Sequence, residues 1–491
     1  MLALLALSLA LAQAPEPGPA APLASETAPA PEAAPVDVHA RVRTEYLRAQ
    51  PVVVGLSIVN RGDGATTFPD LSQRPHLVRF ALQLPGGHSQ VRFSTPPADD
   101  PDLRWLLPVD GRRELTVEIP SRQVLPVGVY QVEIEVDQVG LAPHSFRVAE
   151  AEPVAAAGVY DSPTAVKVGQ QAVWVHRAAQ GFQLYLHLAD AADPTRALGS
   201  HHLADLAGPV QPYLALSLPN RAWSRHVYWL DGERALTAVQ LAGPGRPAHQ
   251  RTTDLPWPRV RLLGVGITDS SGVLHVPVWI PAPAGPGGEV RVVSWGERRA
   301  PSSRAVVRLD SPPGRVSTGI DGSSDLRLVL HHDGVVDLYT VDTRSELPAR
   351  GRRVIDPGHE AEVLASRFAF LPEGEGRRGG RALFLLEVQG GEWVRGRWVA
   401  PTGETVHLQP DQPWAGGFEV LDLLPVGADG FAALLRDEDG GEWVMSDGGA
   451  PRPGPGGLSP ALVGDADGDV WLRSWGRGGP VSFWPIAGRF D

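Results

Sequence analysis

Asp465, Asp467 and Asp469 place three carboxylates within five residues, with Gly468 at the bend. Calcium takes about six to eight oxygen ligands, and acidic loops that turn on a glycine supply them. The same residue types are those a tight hairpin tip prefers, so a plain turn competes with a metal site here. The spacing is compressed relative to an EF-hand, and no distal Glu follows. Asp437, Glu438 and Asp439 form a second acidic tip of the same kind. Calcium, held by Asp465, Asp467 and Asp469, is the one cofactor these spacings admit.

The other reactive groups form no catalytic signature. His201-His202 and His331-His332 are adjacent pairs. Neighbours on a strand point to opposite faces, so neither pair can chelate one metal unaided. His359-Glu360 begins like a zinc-protease helix, but Val363 stands where the second His belongs. Gly457-Leu458-Ser459-Pro460-Ala461 approaches a nucleophile elbow, yet its Pro starts the required helix poorly. Gly264-Val265-Gly266 follows an apolar run, but a second strand follows it, not the helix that a dinucleotide loop needs. Lys167 is the only lysine and has no glycine-rich loop around it. Cysteine is absent, which excludes disulfides, thiolate nucleophiles and zinc–thiolate centres. Isolated carboxylates are plentiful, but nothing pairs two of them as a glycosidase would.

The elements that must position these residues are strands. Hydrophobic residues are 43% and charged residues 20% of the 491, the balance of a folded chain and not of a disordered one. The 48 Pro and 55 Gly carry no collagen period and read as many turns. A net charge of −12 without a basic stripe argues against a nucleic-acid partner.

Leu2–Ala12 is an apolar run of signal-peptide length ending in Ala10-Leu11-Ala12, although only the α-amino group supplies a positive end. Residues 1–14 are therefore read as a signal peptide and 15–35, almost wholly Ala, Pro and Glu, as an extended linker. No later segment is long and apolar enough to span a bilayer as a helix. Residues 36–152 hold seven short strands, Asp37–Arg43, Pro51–Asn60, Val78–Leu84, Ser89–Thr95, Arg113–Ile119, Val129–Val136 and Ser145–Ala149, which suits a β-sandwich. Arg61-Gly62-Asp63 spells an adhesion tripeptide but sits where a hairpin tip is needed. Leu125-Pro126-Val127-Gly128-Val129-Tyr130 resembles the run into the penultimate strand of immunoglobulin-like modules, which implies a Tyr hydrogen-bonded back to the chain.

Residues 153–491 repeat at about 50 residues, the range of propeller blades. Trp174, Trp229, Trp279, Tyr339, Trp393, Trp443 and Trp471 mark the repeats, and Gly-containing tips lie near most of them. The phasing is uneven, since Trp229 precedes its Asp-Gly while Trp443 and Trp471 follow theirs. Seven units start near residues 158, 209, 258, 315, 358, 413 and 458. The short last unit implies that Val159–Val168 completes the final blade; further sandwiches are the alternative. Glu360–Phe370 is the best helix candidate. Asp437–Trp443 and Asp465–Trp471 resemble the Asp-x-x-Gly-x-x-Trp repeats of periplasmic sensor propellers, and the last acidic loop resembles those of integrin-type propeller repeats.

The expected fold is all-β: an N-terminal immunoglobulin-like β-sandwich followed by a roughly seven-bladed β-propeller. The expected function is an exported, non-catalytic binding or scaffold protein, periplasmic or extracellular, whose propeller loops recognise a protein or surface polymer. A propeller hydrolase or lyase acting on polysaccharide, and a structural subunit of an envelope assembly, are the alternatives. Regular recurrence of the Trp residues favours packing between blades over a sugar-binding groove.

Overall fold

The computed structural model describes residues 36–48, 50, 52–86, 90–94, 103–119, 125–150, 153–159, 170–189, 197–217, 225–242, 246–296, 300–320, 325–345, 347–356, 358–370, 381–400, 404–409, 411–426, 430–446, 451–454, 458–464, 470–476 and 479–485. The segments read as signal peptide and linker, and Asp465, Asp467 and Asp469, lie outside them. Among the described residues the chain is all-β, with one 3-10 turn at Pro75–Leu77. No helix is long and apolar enough to cross a membrane.

The N-terminal part is built from two main sheets. Val36–Val42, Val53–Asn60 and Arg112–Glu118 pair antiparallel in one. The other runs Glu45–Leu47, His144–Ala149, Gly128–Val136, Val78–Gln83 and Gln90–Ser94, with its first pair parallel. Alternation builds the core between them. In Gly128–Val136, Tyr130, Val132, Ile134 and Val136 point inward while Gln131 and Glu133 face out. Those four meet Tyr46, Leu56, Ile58, Phe80 and Phe146. Tyr130 stacks on Phe146 at 5.3 Å and its hydroxyl donates to the Pro126 carbonyl at 2.7 Å. The Arg-Gly-Asp segment is a bend clamped by buried Asn60, whose Oδ1 accepts from Gly62 N at 2.9 Å and whose Nδ2 donates to Gly64 O at 2.8 Å.

From Pro153 onward seven sheets follow one another. Among the described residues these sheets begin at Pro153–Val159, Tyr213–Leu214, Arg261–Leu262, Arg315–Ile320, Ala361–Phe370, Glu419–Val426 and Leu458–Gly464, the third also taking in Leu216–Ser217, parallel to Ile267–Thr268. These starts fall close to the units read from the sequence. Second strands such as Leu274–Pro281 and Gly430–Arg436 are buried almost without break. Continuous apolar runs are what strands covered on both faces require. Phe384 and Leu386 accordingly pack on Phe431 and Leu435 of the next sheet, while Leu383 and Leu385 pack on Val336 and Leu338 of the preceding one.

First strands also meet one another. Pro153–Val159 lies against both Tyr213–Leu214 and Leu458–Gly464, so the two ends of the series are neighbours. Polar groups tie this inner layer: Ser317 Oγ donates to Ser366 O at 2.7 Å, and Arg367 Nη1 donates to Asp422 Oδ1 at 3.0 Å. Asp422 Oδ2 in turn accepts from Leu462 N at 2.9 Å, so one carboxylate joins three successive sheets.

One expectation changes. Ala361–Phe370 is a strand rather than a helix, because its apolar residues pair in register with Arg381–Gln389. Val159–Val168, expected to complete the last sheet, lies outside the described residues except for Val159; Pro153–Val159 pairs with Gln170–Ala178 in the first sheet, and Leu458–Gly464, Val470–Gly476 and Gly479–Pro485 form a sheet of three. The uneven phasing of the tips also has a cause. Asp231-Gly232 and Asp439-Gly440 both join second strands to third strands, but Trp229 lies in the second strand His226–Asp231 and Trp443 in the third strand Glu442–Ser446.

Candidate functional site

The histidine pairs split across their strands. His331 Nε2 lies 2.9 Å from Ser366 Oγ, while His332 Nε2 lies 3.0 Å from Asp337 Oδ2. His202 Nε2 lies 3.0 Å from Asp205 Oδ1. Among the described residues no group of three or more His, Cys, Asp or Glu could hold a metal ion. Gly264-Val265-Gly266 serves Tyr228, whose hydroxyl donates to Gly264 O at 2.9 Å and accepts from Gly266 N; the strand Ile267–Thr268 follows. Asp437 is held within its own hairpin: Oδ1 accepts from Gly441 N at 2.6 Å and Oδ2 from the Trp443 indole N–H at 2.8 Å. These bonds, the Trp443 one first, hold the Asp437 carboxyl below its ordinary range.

A buried polar network joins the sandwich to the first of the seven sheets. Glu45 Oε1 lies 3.0 Å from His176 Nε2, and Glu45 Oε2 accepts from Ala179 N at 3.2 Å in the tip of the facing hairpin. Arg43 Nη2 donates to the Tyr185 hydroxyl at 2.8 Å and to Gln183 Oε1 at 3.1 Å. Burial pushes the Tyr185 phenol up to about 12, so it stays a neutral donor to Gln183 Oε1 at 2.8 Å. The pairing Glu45–Leu47 with Arg147–Ala149 fixes the segment that carries Arg43 and Glu45.

A second cluster has the residue types of acyl transfer. His275 Nε2 lies 3.0 Å from Asp269 Oδ2, and His275 Nδ1 lies 2.8 Å from Ser294 Oγ. Register puts Ser294 directly opposite His275, and Asp269 precedes the strand in a turn where its Oδ1 accepts from Ser271 N and Val273 N. A nucleophile, a base and a group orienting the base are thus in reach of one another. Burial raises the Asp269 pKa, but the His275 bond and the turn N–H groups outweigh it and hold it below the ordinary value. Asp269 is 6% and His275 2% exposed, and every contact named is made within one sheet. The arrangement ties turn, second strand and third strand together, and leaves Ser294 as its half-buried outer member.

The described tryptophans differ in exposure. Trp174, Trp229, Trp279, Trp295 and Trp398 are buried. Trp393 is 48% exposed, alone among the described tryptophans in the exposed class. Its surroundings repeat those of Trp443. Gly390-Gly391-Glu392-Trp393-Val394 and Gly440-Gly441-Glu442-Trp443-Val444 are one pentapeptide in adjacent sheets, and each Trp lies opposite a proline, Pro413 or Pro453. The two hairpins differ in register: Trp443 pairs with Leu435 across a tip that carries Asp437, whereas Trp393 pairs with Gln389 across the shorter tip 390–392. Glu387 lies within a strand opposite Arg395, is 0% exposed, and accepts from Arg397 Nε at 3.0 Å and from Arg397 Nη2. Trp443 is latched and packs on Phe418; the Trp393 indole N–H meets no acceptor among the described residues. The repeated pentapeptide was the signal in the sequence that could have singled out Trp393.

No protein-family model matches the chain, and no curated protein matches it. Among solved structures, a Hadza microbial sialidase is similar over 88% of this chain and 92% of its own, at 10% identity and a TM-score of 0.36. An Aleuria aurantia lectin in complex with alpha-methyl-L-fucoside is similar over 70% and 99%, at 12% identity and a TM-score of 0.30. A Pseudomonas fluorescens alkylpurine DNA glycosylase bound to DNA is similar over 23% of this chain and 30% of its own, at 12% identity and a TM-score of 0.17. Superpositions this loose carry no residue and no activity across to this chain.

Proposed function

We propose that this is an exported, non-catalytic binding or scaffold protein: an immunoglobulin-like sandwich fixed to the rim of a seven-bladed propeller. The lock between Arg43, Glu45, His176 and Tyr185 is the observation that carries the reading, because it makes two modules one rigid frame. Rigid frames that present hairpin tips are suited to recognition. The strand order of the two N-terminal sheets and the Tyr130–Pro126 bond support the immunoglobulin-like assignment. The succession of seven sheets with neighbouring ends supports the propeller. The apolar run Leu2–Ala12 supports export to the periplasm or beyond. Affinity capture from the native envelope after mild cross-linking tests it. A reproducible partner or polymer is expected; none recovered, together with turnover of a glycan or ester panel, overturns it.

A hydrolase is the second reading, favoured by Asp269, His275 and Ser294. A fluorophosphonate that labels the wild type but not Ser294→Ala would establish it.

A further inference from the structure

We propose that Trp393, with Arg395 and Arg397 beside it, is a docking platform for an acidic saccharide: a polymer of pyranose rings bearing carboxylates. The inference rests on the binding-protein reading and adds the ligand class. Two observations converge on it. The first is the released indole. Trp393 stands 48% exposed, and unlike its repeat partner Trp443 its N–H meets no acceptor among the described residues. Large exposed aromatics with an unused polar handle belong to interaction surfaces. An indole face stacks on the C–H face of a sugar ring while its N–H donates to a ring hydroxyl.

The second is the charge beneath and beside it. Arg395 and Arg397 share one carboxylate, Glu387, which leaves the trio with one net positive charge. Arg395 keeps Nε 3.6 Å from Glu387 Oε2, with 26% of its side chain open to solvent. Trp393, Arg395 and Arg397 alternate along one face of Trp393–Val399, and half-exposed Leu408 lies opposite Arg397. The result is a strip about five residues long by strand geometry, apolar at both ends and cationic between. Guanidinium donors match carboxylates with geometric specificity. A half-exposed indole offers its face to a ring as a platform.

The test uses the full chain in affinity electrophoresis and calorimetry against polygalacturonate, neutral dextran and poly-glutamate. Retention by polygalacturonate is expected, weakened by salt. Trp393→Ala should weaken it by about tenfold or more, and Arg395→Met should weaken it while leaving dextran unaffected. Trp393→Ala should leave the melting temperature nearly unchanged, because the side chain is exposed, so loss of binding is not loss of fold. Equal affinity of wild type and Trp393→Ala, stronger retention by poly-glutamate, or no retention by any polymer each overturns the proposal. A partner cross-linked equally well by Trp393→Ala would overturn this ligand class and leave the binding reading standing.

Discussion

The indole N–H of Trp443 donates to Oδ2 of Asp437 at 2.8 Å, across the mouth of its hairpin. Trp229 does the same from the other side of its turn, donating to Asp231 Oδ1 at 3.0 Å. In both sheets a tip carboxylate fixes the aromatic that marks the repeat. Asp437→Asn should lower the denaturation midpoint, and the effect should depend on pH. The folded carboxyl lies below its unfolded value of 3.8, so its contribution is present above that value and lost as pH falls through the folded pKa. Urea midpoints of wild type and variant should converge in acid; a constant gap would count against the latch.

The junction between modules makes a stronger prediction. Glu45 and His176 are both buried, and removing one partner of such a pair typically costs about 3–5 kcal/mol. Glu45→Ala should therefore destabilise the sandwich and the first sheet together. Calorimetry should show one melting transition for the wild type split into two for the variant. A single unsplit transition, merely shifted, would mean that other contacts couple the modules.

Three histidines, His187 and His226 buried and His331 half-buried, should govern stability on the acid side of neutrality. Burial lowers His187, His226 and His331 each to about 4 from 6.5. The folded state then binds fewer protons than the unfolded state between those values, so stability falls as pH falls from 6.5 toward 4. At about pH 5.5 most carboxylates are still ionised, and the slope there belongs mainly to histidine. Urea midpoints that stay flat from pH 7 to about pH 5 would contradict this.

Gly396 sits where a side chain has no room. An added Cβ would come 2.3 Å from Phe384 Cζ and 2.4 Å from Gln409 Oε1, both in buried residues. Gly396→Ala should cost about 1–3 kcal/mol, the usual range for overpacking. The equivalent change at Gly390 meets open space but a φ of 63°, so its smaller penalty comes from the backbone alone. Chemical denaturation of the two variants should rank them in that order.

Much of the fold was legible because strand alternation and turn residues are local signals. The seven strands expected in residues 36–152 all occur, from Val36–Val42 to His144–Ala149, with ends shifted by a residue or two. The short pairs Glu45–Leu47 and Thr66–Pro69 were missed, since three or four residues carry no period. Ala361–Phe370 misled because a strand covered on both faces loses its alternation and imitates a helix. The candidate site was less legible. Pairing Asp269 and His275 with Ser294 needs a strand register that no spacing rule gives. Trp393 was visible as a marker but not as an exception, because what sets it apart from Trp443 is a shorter hairpin tip, a matter of strand register.

The parallel pairing of Glu45–Leu47 with Arg147–Ala149 has a mechanical side. Tension entering the chain at Val36 runs along a paired strand and then reaches Arg43 and Glu45, which grip the first sheet of the array. Load is thus handed from one part to the next through side chains that resist sliding. A molecule tethered by its front end and holding a partner at its far sheets would transmit that pull as a stiff bracket does.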